Sequence, residues 1–342
     1  MNNYRRITAQ ELINDVKSKS GKSSGWPQTF TYKMDGDSIL ISADNKILDK
    51  KATRRLDPWG LAFLIEAERR CGIKVNGINF SISGKIGEIA PGGRLVPNLE
   101  ALRRRLSFLS INNPELRFVI TINGESLELD GADVLFARPE NEMIHAQFDR
   151  EAQVNQPGRL EKDFQTWLSA NDIKNALEKD ARTNVRLAIL GEDFFKLGKR
   201  NLGIIREFPT GVFDRNISPK PTNKSRILPT EFVDIVTINK YRQLAIIELK
   251  LNDSQLEVIA QLLDYSLFFR CYRDRLWPII REKLRTALKS NDIICYVVNN
   301  YFHKRFDNVL RYYSPKSELH GFKIKKTLLG HYLDVCSQAV LP

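Results

Sequence analysis

Two apolar runs placed close together constrain the fold of this chain more than any other feature. They are EFVDIVTI at 231–238 and QLAIIELKL at 243–251, separated by the polar residues 239–242. Runs rich in Val and Ile on either side of a short turn predict two neighbouring β-strands. A third run, DIICYVV at 292–298, has the composition of a strand that is buried on both faces. The second half of the chain is therefore expected to contain a buried sheet.

The second of these runs carries two charged residues. Because side chains alternate along a strand, Glu248 and Lys250 would share one face, while Leu249 and Leu251 would point to the other. Asp234 lies on the preceding run, and a hairpin would bring its carboxylate beside Glu248. Such a cluster is typical of an active-site edge, although a solvated strand face is the simpler alternative for the Glu–Lys pair.

Predicted helices on either side of the two runs carry further polar residues. The segment RLEKDFQTWLSAN at 159–171 has apolar residues at helical spacing and includes Glu161. A long helix capped by Ser254 would carry Gln261 and Tyr265, which are four residues apart and share one helical face. Each has a plain alternative: the helix dipole favours an acidic residue in a first turn, and Gln261 and Tyr265 could be ordinary surface positions.

This combination of residue types suits the hydrolysis of a phosphodiester. Two carboxylates can hold a hard cation such as Mg²⁺ through oxygen ligands. The metal polarises a phosphoryl oxygen and lowers the pKa of bound water. A lysine two residues beyond a ligand can orient that water or stabilise the developing negative charge.

The order of these residues resembles the PD-(D/E)XK nuclease superfamily, over residues 160–265. That superfamily has a helical Glu, a strand Asp and then Glu-x-Lys on the next strand. The helix with Gln-x-x-x-Tyr resembles the branch that includes RecB-like and archaeal mismatch-type endonucleases. The proline that nominally precedes the aspartate is replaced here by Val233. The resemblance implies an α/β fold with a restriction-endonuclease-like mixed sheet flanked by helices.

The resemblance also implies a metal site. Asp234 and Glu248 would ligate the metal, the Leu249 carbonyl would be a further ligand, and Glu161 would complete or support the site. The implied cofactor is Mg²⁺, with Mn²⁺ as an alternative.

By the same resemblance, Lys250 would be the catalytic lysine, and Gln261 and Tyr265 would line the site and touch the nucleic-acid backbone. The implied activity is that of an endonuclease, in restriction, phage defence or repair, and the resemblance favours DNA over RNA. Two alternatives stay open: a nucleic-acid-binding protein without catalysis on the same fold, and a scaffold whose basic charge is incidental.

The first 145 residues show no resemblance to a known family. Alternating apolar runs around Asp35-Gly36 and Asn123-Gly124 predict two hairpins, and helices are predicted from Asp57 and over 99–108. This half is therefore expected to be a separate α+β domain. The arginines at 103–105 would form either a second contact surface or an exposed helix face. No internal repeat is visible in the sequence.

The polar stretch 138–158, which contains two prolines, is predicted to connect the halves. We therefore expect an accessory domain at 1–145, for binding a substrate or a partner, and a nuclease domain at 158–342.

The charge balance favours an anionic partner. Lys and Arg number 53 against 41 Asp and Glu, which gives a formal net charge of +12, and a basic excess of this size suits nucleic acid. Basic residues flank the predicted site on both sides; they are Lys196, Lys199, Arg200, Arg206, Arg215, Lys220, Lys224 and Arg226 before it, and Arg270, Arg273, Arg275, Arg281, Lys283 and Arg285 after it.

Other features bear on location and assembly. The first residues, MNNYRRITAQEL, contain no apolar run typical of a signal peptide, and no stretch is long and apolar enough for a membrane span. The scattered cysteines fit a reducing compartment, so a cytoplasmic protein without a membrane partner is expected. A two-fold homodimer would suit cleavage of both strands of a duplex, on symmetry grounds alone.

Overall fold

The structure is a computed structural model that describes residues 6–19, 26–48, 52–84, 96–127, 129, 142–144, 160–169, 186–194, 203–253, 255–316 and 321–329. It is a mixed α/β fold in which mixed sheets are flanked by helices, as the sequence predicts at this level. No helix in the described ranges is both long and apolar enough to cross a membrane.

The first half forms a five-stranded sheet with strand order β1-β2-β3-β4-β5. The pairs β1–β2 and β4–β5 are antiparallel, whereas β2–β3 and β3–β4 are parallel. Its elements are α1 (Ala9–Lys19), β1 (Thr31–Asp35), β2 (Ser38–Asp44), α2 (Leu56–Cys71), β3 (Gly77–Ser83), α3 (Pro97–Asn112), β4 (Arg117–Ile122) and β5 (Glu125–Leu127).

The second half forms a second five-stranded sheet and contributes to a small third one. The large sheet has strand order β13-β12-β11-β10-β7, and the small antiparallel sheet has order β6-β8-β9. The elements are β6 (Glu142–Ile144), α4 (Leu160–Ser169), β7 (Ile205–Pro209), β8 (Val212–Asp214), β9 (Arg226–Leu228), β10 (Phe232–Ile238), β11 (Leu244–Leu249), α5 (Glu257–Cys271), α6 (Arg273–Leu284), β12 (Ile293–Asn299), α7 (Phe306–Tyr313) and β13 (Phe322–Leu328).

The predicted turns and buried strands form where the local chemistry favours them. Asn123 and Gly124 both have positive φ, 50° and 93°, as a tight hairpin turn between right-twisted strands requires. The run at 293–299 is a strand whose residues are all buried. It lies between β11 and β13 and is parallel to both, which explains its continuous apolar sequence.

The sequence also predicts helices over 184–197 and from about Pro278 to Lys289, and both differ from the structure. A helix predicted over 184–197 is replaced, in the described part, by two 3₁₀ helices, Leu187–Leu190 and Glu192–Phe194. Gly191 stands between them with φ of 117°, which no α-helix can contain. A helix predicted to start near Pro278 begins earlier, at Arg273; the proline lies in its second turn, where it removes one backbone donor.

The two halves pack through their helices. In each large sheet the parallel strands lie side by side in chain order, β2-β3-β4 and β11-β12-β13. Right-handed crossovers between such strands place the connecting helices on the same face of the sheet. The helices α2 and α3 of the first half contact α5 and α7 of the second. The predicted division into domains at 1–145 and 158–342 remains a prediction, and β6, just before the predicted boundary, pairs with β8 beyond it.

A buried ion network lies where the two halves meet. Arg105 is fully buried; its Nε and Nη2 donate to Asp57 at 3.0 Å each, and its Nη1 donates to both carboxylate oxygens of Asp264 at 3.1 Å. The Tyr313 hydroxyl donates to Asp57 at 2.6 Å. The interpretation of residues 103–105 as an exposed face is therefore wrong for Arg105, and also for Arg104, which is 7% exposed. Arg105 pairs with acidic residues that are distant in sequence.

Candidate functional site

The site lies where β10 begins and β11 ends. The two strands are antiparallel with Ile235 opposite Ile247, so one residue further along the pair Asp234 stands beside Glu248. Both side chains are buried, at 8% and 2% exposure. The Leu249 backbone N–H donates to Asp234 Oδ2 at 2.8 Å, which fixes the aspartate against the neighbouring strand.

Lys250 joins the carboxylates through its ammonium group. Its Nζ lies 2.7 Å from Glu248 Oε1, 2.9 Å from the Leu249 carbonyl oxygen and 3.7 Å from Glu161 Oε1. Those three oxygens belong to residues that the sequence resemblance assigns to a metal. The Lys250 ammonium group therefore contacts the same oxygens that would bind the metal ion.

Helix α5 holds Glu248 from the other side. Gln261 Nε2 is 2.6 Å from Glu248 Oε1 and also 2.6 Å from the Tyr265 hydroxyl. Tyr265 in turn donates to the Phe232 carbonyl at 3.1 Å. Gln261 and Tyr265 are 6% and 1% exposed, so they are not ordinary surface positions. Here they orient the glutamate, and their implied contact with a nucleic-acid backbone remains a prediction.

The electrostatics follow from burying several charges together. Burial raises the pKa of Asp234, as does the charge of Glu161. Burial and the charge of Asp234 raise the pKa of Glu248. Burial also raises the pKa of the Glu161 carboxyl. Burial alone would lower the pKa of Lys250, but the Glu248 and Asp234 carboxylates raise it, so its ammonium group stays charged.

The donor set is chemically suited to a hard divalent cation. Glu248 Oε2 is buried and accepts no hydrogen bond from any described residue, which is costly for a carboxylate oxygen unless a cation faces it. The Lys250 ammonium group contacts the carboxylates of Glu248 and Glu161, and the charge of Asp234 also acts on it. In the described ranges, however, no three His, Cys, Asp or Glu side chains form a ready ligand group; Lys250 contacts both Glu248 and Glu161 instead.

Three residues that the sequence interpretation missed lie beside Asp234. Gln165, fully buried on α4, donates to the Asp234 backbone carbonyl at 2.7 Å. Lys162, on the same helix, lies 3.1 Å from Gln165 Oε1 and contacts Glu207. Glu207 has φ of 50° within β7, where its neighbours pair on either side of Asp234. The four-residue spacing from Glu161 to Gln165 is a signal that could have indicated this helix face.

A fourth missed residue comes from the first half of the chain. Arg54 contacts Glu231, its Nε donates to Asp264 at 3.2 Å, and its guanidinium carbon lies 6.0 Å from the centre of the Tyr265 ring. Its side chain is 6% exposed. No local pattern could identify it, because its partners lie about two hundred residues further along the chain.

Some of the basic residues that flank the site in the sequence lie on the segment that connects β7 to β10, next to the start of β10. Pro209, where β7 ends, pairs with Phe232, where β10 begins. Between them β8 and β9 form a hairpin over residues 212–228, called here the basic hairpin. Residues 215–230 include no acidic residue, and the exposed cations of the loop are Arg215, Lys220 and Lys224. Lys196, Lys199 and Arg200 lie outside the described residues.

Comparison of the chain with protein-family models and with curated proteins finds no match.

Proposed function

We propose that this protein is a Mg²⁺-dependent nuclease that hydrolyses phosphodiester bonds, with DNA as the favoured substrate. The observation that carries the proposal is the meeting of Asp234, Glu248 and Lys250 at one end of an antiparallel strand pair. The order α4, β10, β11, α5, β12 supports a restriction-endonuclease-like core, because it carries each element that the motif needs in the expected sequence.

Asp234, Glu248 and the Leu249 carbonyl would hold the metal, with Glu161 completing or supporting the site. Bound there, Mg²⁺ would polarise the phosphoryl oxygen and lower the pKa of a bound water. Gln261 engages Oε1 of Glu248 and so leaves Oε2 free to act as a ligand.

Lys250 supplies positive charge that does not depend on a metal. Its raised pKa keeps the ammonium protonated at neutral pH. With a cation bound to the oxygens that it now contacts, the Lys250 ammonium group would have its three N–H donors free for the phosphate. A preorganised donor of this kind stabilises the charge that develops on the phosphoryl oxygens as water adds and the ester oxygen leaves.

The basic hairpin gives the site a means of holding a polyanion. Arg215, Lys220 and Lys224 are exposed, and within the described part of the chain none of them forms an ion pair. Contacts from such side chains to phosphates provide affinity without sequence preference.

A cleavage assay on the full chain tests the proposal. Linear, nicked, mismatched and single-stranded DNA, and RNA, are incubated with Mg²⁺ or with EDTA. We expect cleavage of at least one DNA substrate with Mg²⁺ and none with EDTA. Asp234→Ala and Lys250→Ala should abolish cleavage while circular dichroism and DNA affinity stay near those of the unaltered protein. Undiminished cleavage by both variants would refute the assignment.

A nucleic-acid-binding protein without catalysis is the second candidate. It is favoured by one observation: within the described residues Lys250, and not a third carboxylate, occupies the space between Glu248 and Glu161. This candidate predicts salt-dependent DNA binding with no product in either Mg²⁺ or Mn²⁺.

A further inference from the structure

The two large sheets are built from the same series of elements. In the first half the order is α1, β1, β2, α2, β3, α3, β4; in the second it is α4, β10, β11, α5, β12, α7, β13, with additional elements between. In both, the first two of these strands are antiparallel and the next two are added in parallel. The additional strand lies at opposite edges, β5 beside β4 and β7 beside β10. We call residues 6–127 the first unit and residues 160–329 the second unit.

The contacts between the units are reciprocal. Equivalent helices meet each other, α2 with α5 and α3 with α7, and the exchanged pairs α2–α7 and α3–α5 also meet. This is the pattern of a two-fold interface, in which one surface is used twice.

The polar contacts repeat the reciprocity. Arg105 of α3 reaches Asp264 on α5, and Arg305, just before α7, reaches Glu66 on α2 with Nε 3.3 Å from Oε1. An arginine on α3 in the first unit, and one directly before the equivalent helix α7 in the second, thus pairs with an acid on α5 or α2 of the other unit. Where α3 and α7 end, Asn112 Nδ2 donates to the Tyr312 and Ser314 carbonyls at 2.9 and 3.0 Å.

The first unit has an apolar core where the second has its site. Tyr32 on β1 is directly opposite Ile41 on β2, as Asp234 is beside Glu248. Helix α2 covers this pair: Phe63 stacks on Tyr32 with ring centres 4.6 Å apart, and a Cβ at Gly60 would lie 2.9 Å from Ile41 Cδ1. Apolar side chains here cannot hold a cation.

A short acidic–basic triplet at the end of β2 does not restore a site. Asp44-Asn45-Lys46 has the spacing of Glu248-Leu249-Lys250, but Asp44 and Lys46 are exposed. Asp44 Oδ1 accepts the Lys46 backbone N–H at 2.9 Å, which is a local turn contact. Alternation along β2 places Asp44 on the face opposite Ile41.

We propose that the first unit is a second copy of the fold of the second unit, without its carboxylates, and that it takes the place of a partner subunit. The chain would then carry one catalytic centre and cut one strand at each encounter. The expected cutting of one strand rests on the proposed nuclease function. The replacement of a partner subunit by the first unit rests only on the topology and on the contacts between the units.

Two measurements on the full chain test the proposal. In the first, sedimentation velocity is recorded from low to high micromolar protein. Because the helical face that would join two chains is already covered by the first unit, we expect the mass of a single chain throughout. A stable dimer would overturn the proposal, whatever the protein does to DNA.

In the second, the unaltered protein is mixed with its Lys250→Ala variant at constant total concentration, and supercoiled plasmid is the substrate. We expect nicked circles to form before linear product, at a rate proportional to the fraction of unaltered protein. Direct appearance of linear product, or a dependence on the square of that fraction, would overturn the proposal. If the unaltered protein cleaves nothing with Mg²⁺, the nuclease function fails, and sedimentation still decides whether the first unit replaces a partner subunit.

Discussion

The first and second units share one arrangement of strands and helices but differ in the side chains of one strand pair, which are apolar or aromatic in the first unit and carboxylates in the second. In the first, the opposed pair Tyr32–Ile41 is covered by helix α2, where Phe63 stacks on Tyr32 and Gly60 lies close to Ile41. In the second, the pair Asp234–Glu248 is buried at comparable depth, and Gln261 with Tyr265 supplies hydrogen bonds where the first unit supplies only packing. The frame is common to both units, so any chemistry must come from a few substituted side chains.

The largest expected difference between the units concerns their two Glu/Asp-x-Lys triplets. Lys250→Ala removes the ammonium group that lies against Glu248, and we expect cleavage to fall below detection, by more than the about 10²–10³-fold lost when one preorganised donor is removed from an active site. Lys46→Ala, in the exposed triplet of the first unit, should leave the rate unchanged. Initial rates on one plasmid substrate measure both variants. An equal fall in the two would show that the triplet pattern does not distinguish the units.

Next in size is the effect of breaking the ion network that joins the units at Arg105. Arg105→Met leaves Asp57 and Asp264 without their shared buried partner, and we expect the free energy of unfolding to fall by about 3–5 kcal/mol. Arg103→Met, on the same helix but in a more exposed pair with Glu100, should change it by about 1 kcal/mol or less. Urea unfolding followed by circular dichroism measures both, and similar values for the two variants would count against the network as the joint between the units.

The basic hairpin should matter more for affinity than any charge of the first unit. Replacing Arg215, Lys220 and Lys224 by alanine should weaken DNA binding and reduce the slope of log affinity against log salt by about 0.9 for each phosphate that is no longer neutralised. The matched control replaces three exposed lysines of the first unit, Lys33, Lys46 and Lys74.

Fluorescence anisotropy in Ca²⁺ buffer, over a series of salt concentrations, measures the affinity of both triple variants. If the slope of log affinity against log salt falls equally in both triple variants, DNA binding depends on the net charge of the protein and not on the position of the basic hairpin.

The smallest effect is expected from two buried tyrosines. Tyr265→Phe removes the hydroxyl that links Gln261 to the Phe232 carbonyl, and we expect kcat to fall by about 2–10-fold, the equivalent of one hydrogen bond. The hydroxyl of Tyr32 is buried and makes no hydrogen bond to a described residue, so Tyr32→Phe should leave the rate unchanged and should not lower the free energy of unfolding. Steady-state kinetics, with unfolding as a check on the fold, measure both; a larger effect of Tyr32→Phe would contradict the comparison.

The sequence predicted the parts of this structure that depend on local pattern. The hairpin of β10 and β11, the buried strand β12 and the helix carrying Gln261 and Tyr265 each follow from alternation or helical spacing. The proximity of Asp234, Glu248 and Lys250 was predicted because it needs only a hairpin and the two-residue period of a strand.

What the sequence did not indicate depends on pairing between distant segments. Arg54 and Arg105 resemble exposed cations in their own helical surroundings, but they are buried against acids that lie 48 to 210 residues away in the sequence. The likeness between the units was invisible for a related reason. Topology and pairing direction are repeated, whereas the side chains that a sequence repeat would preserve, such as those at Tyr32 and Asp234, have changed.

The proposed metal site is tested most directly by cleavage of supercoiled plasmid by the unaltered full chain and by Glu248→Gln, each in Mg²⁺ and in EDTA. Glutamine keeps the size of the side chain and a carbonyl oxygen but removes the charge that a metal requires. We expect nicked product only from the unaltered chain with Mg²⁺. Equal cleavage by Glu248→Gln, or cleavage that persists in EDTA, would contradict the proposed metal site.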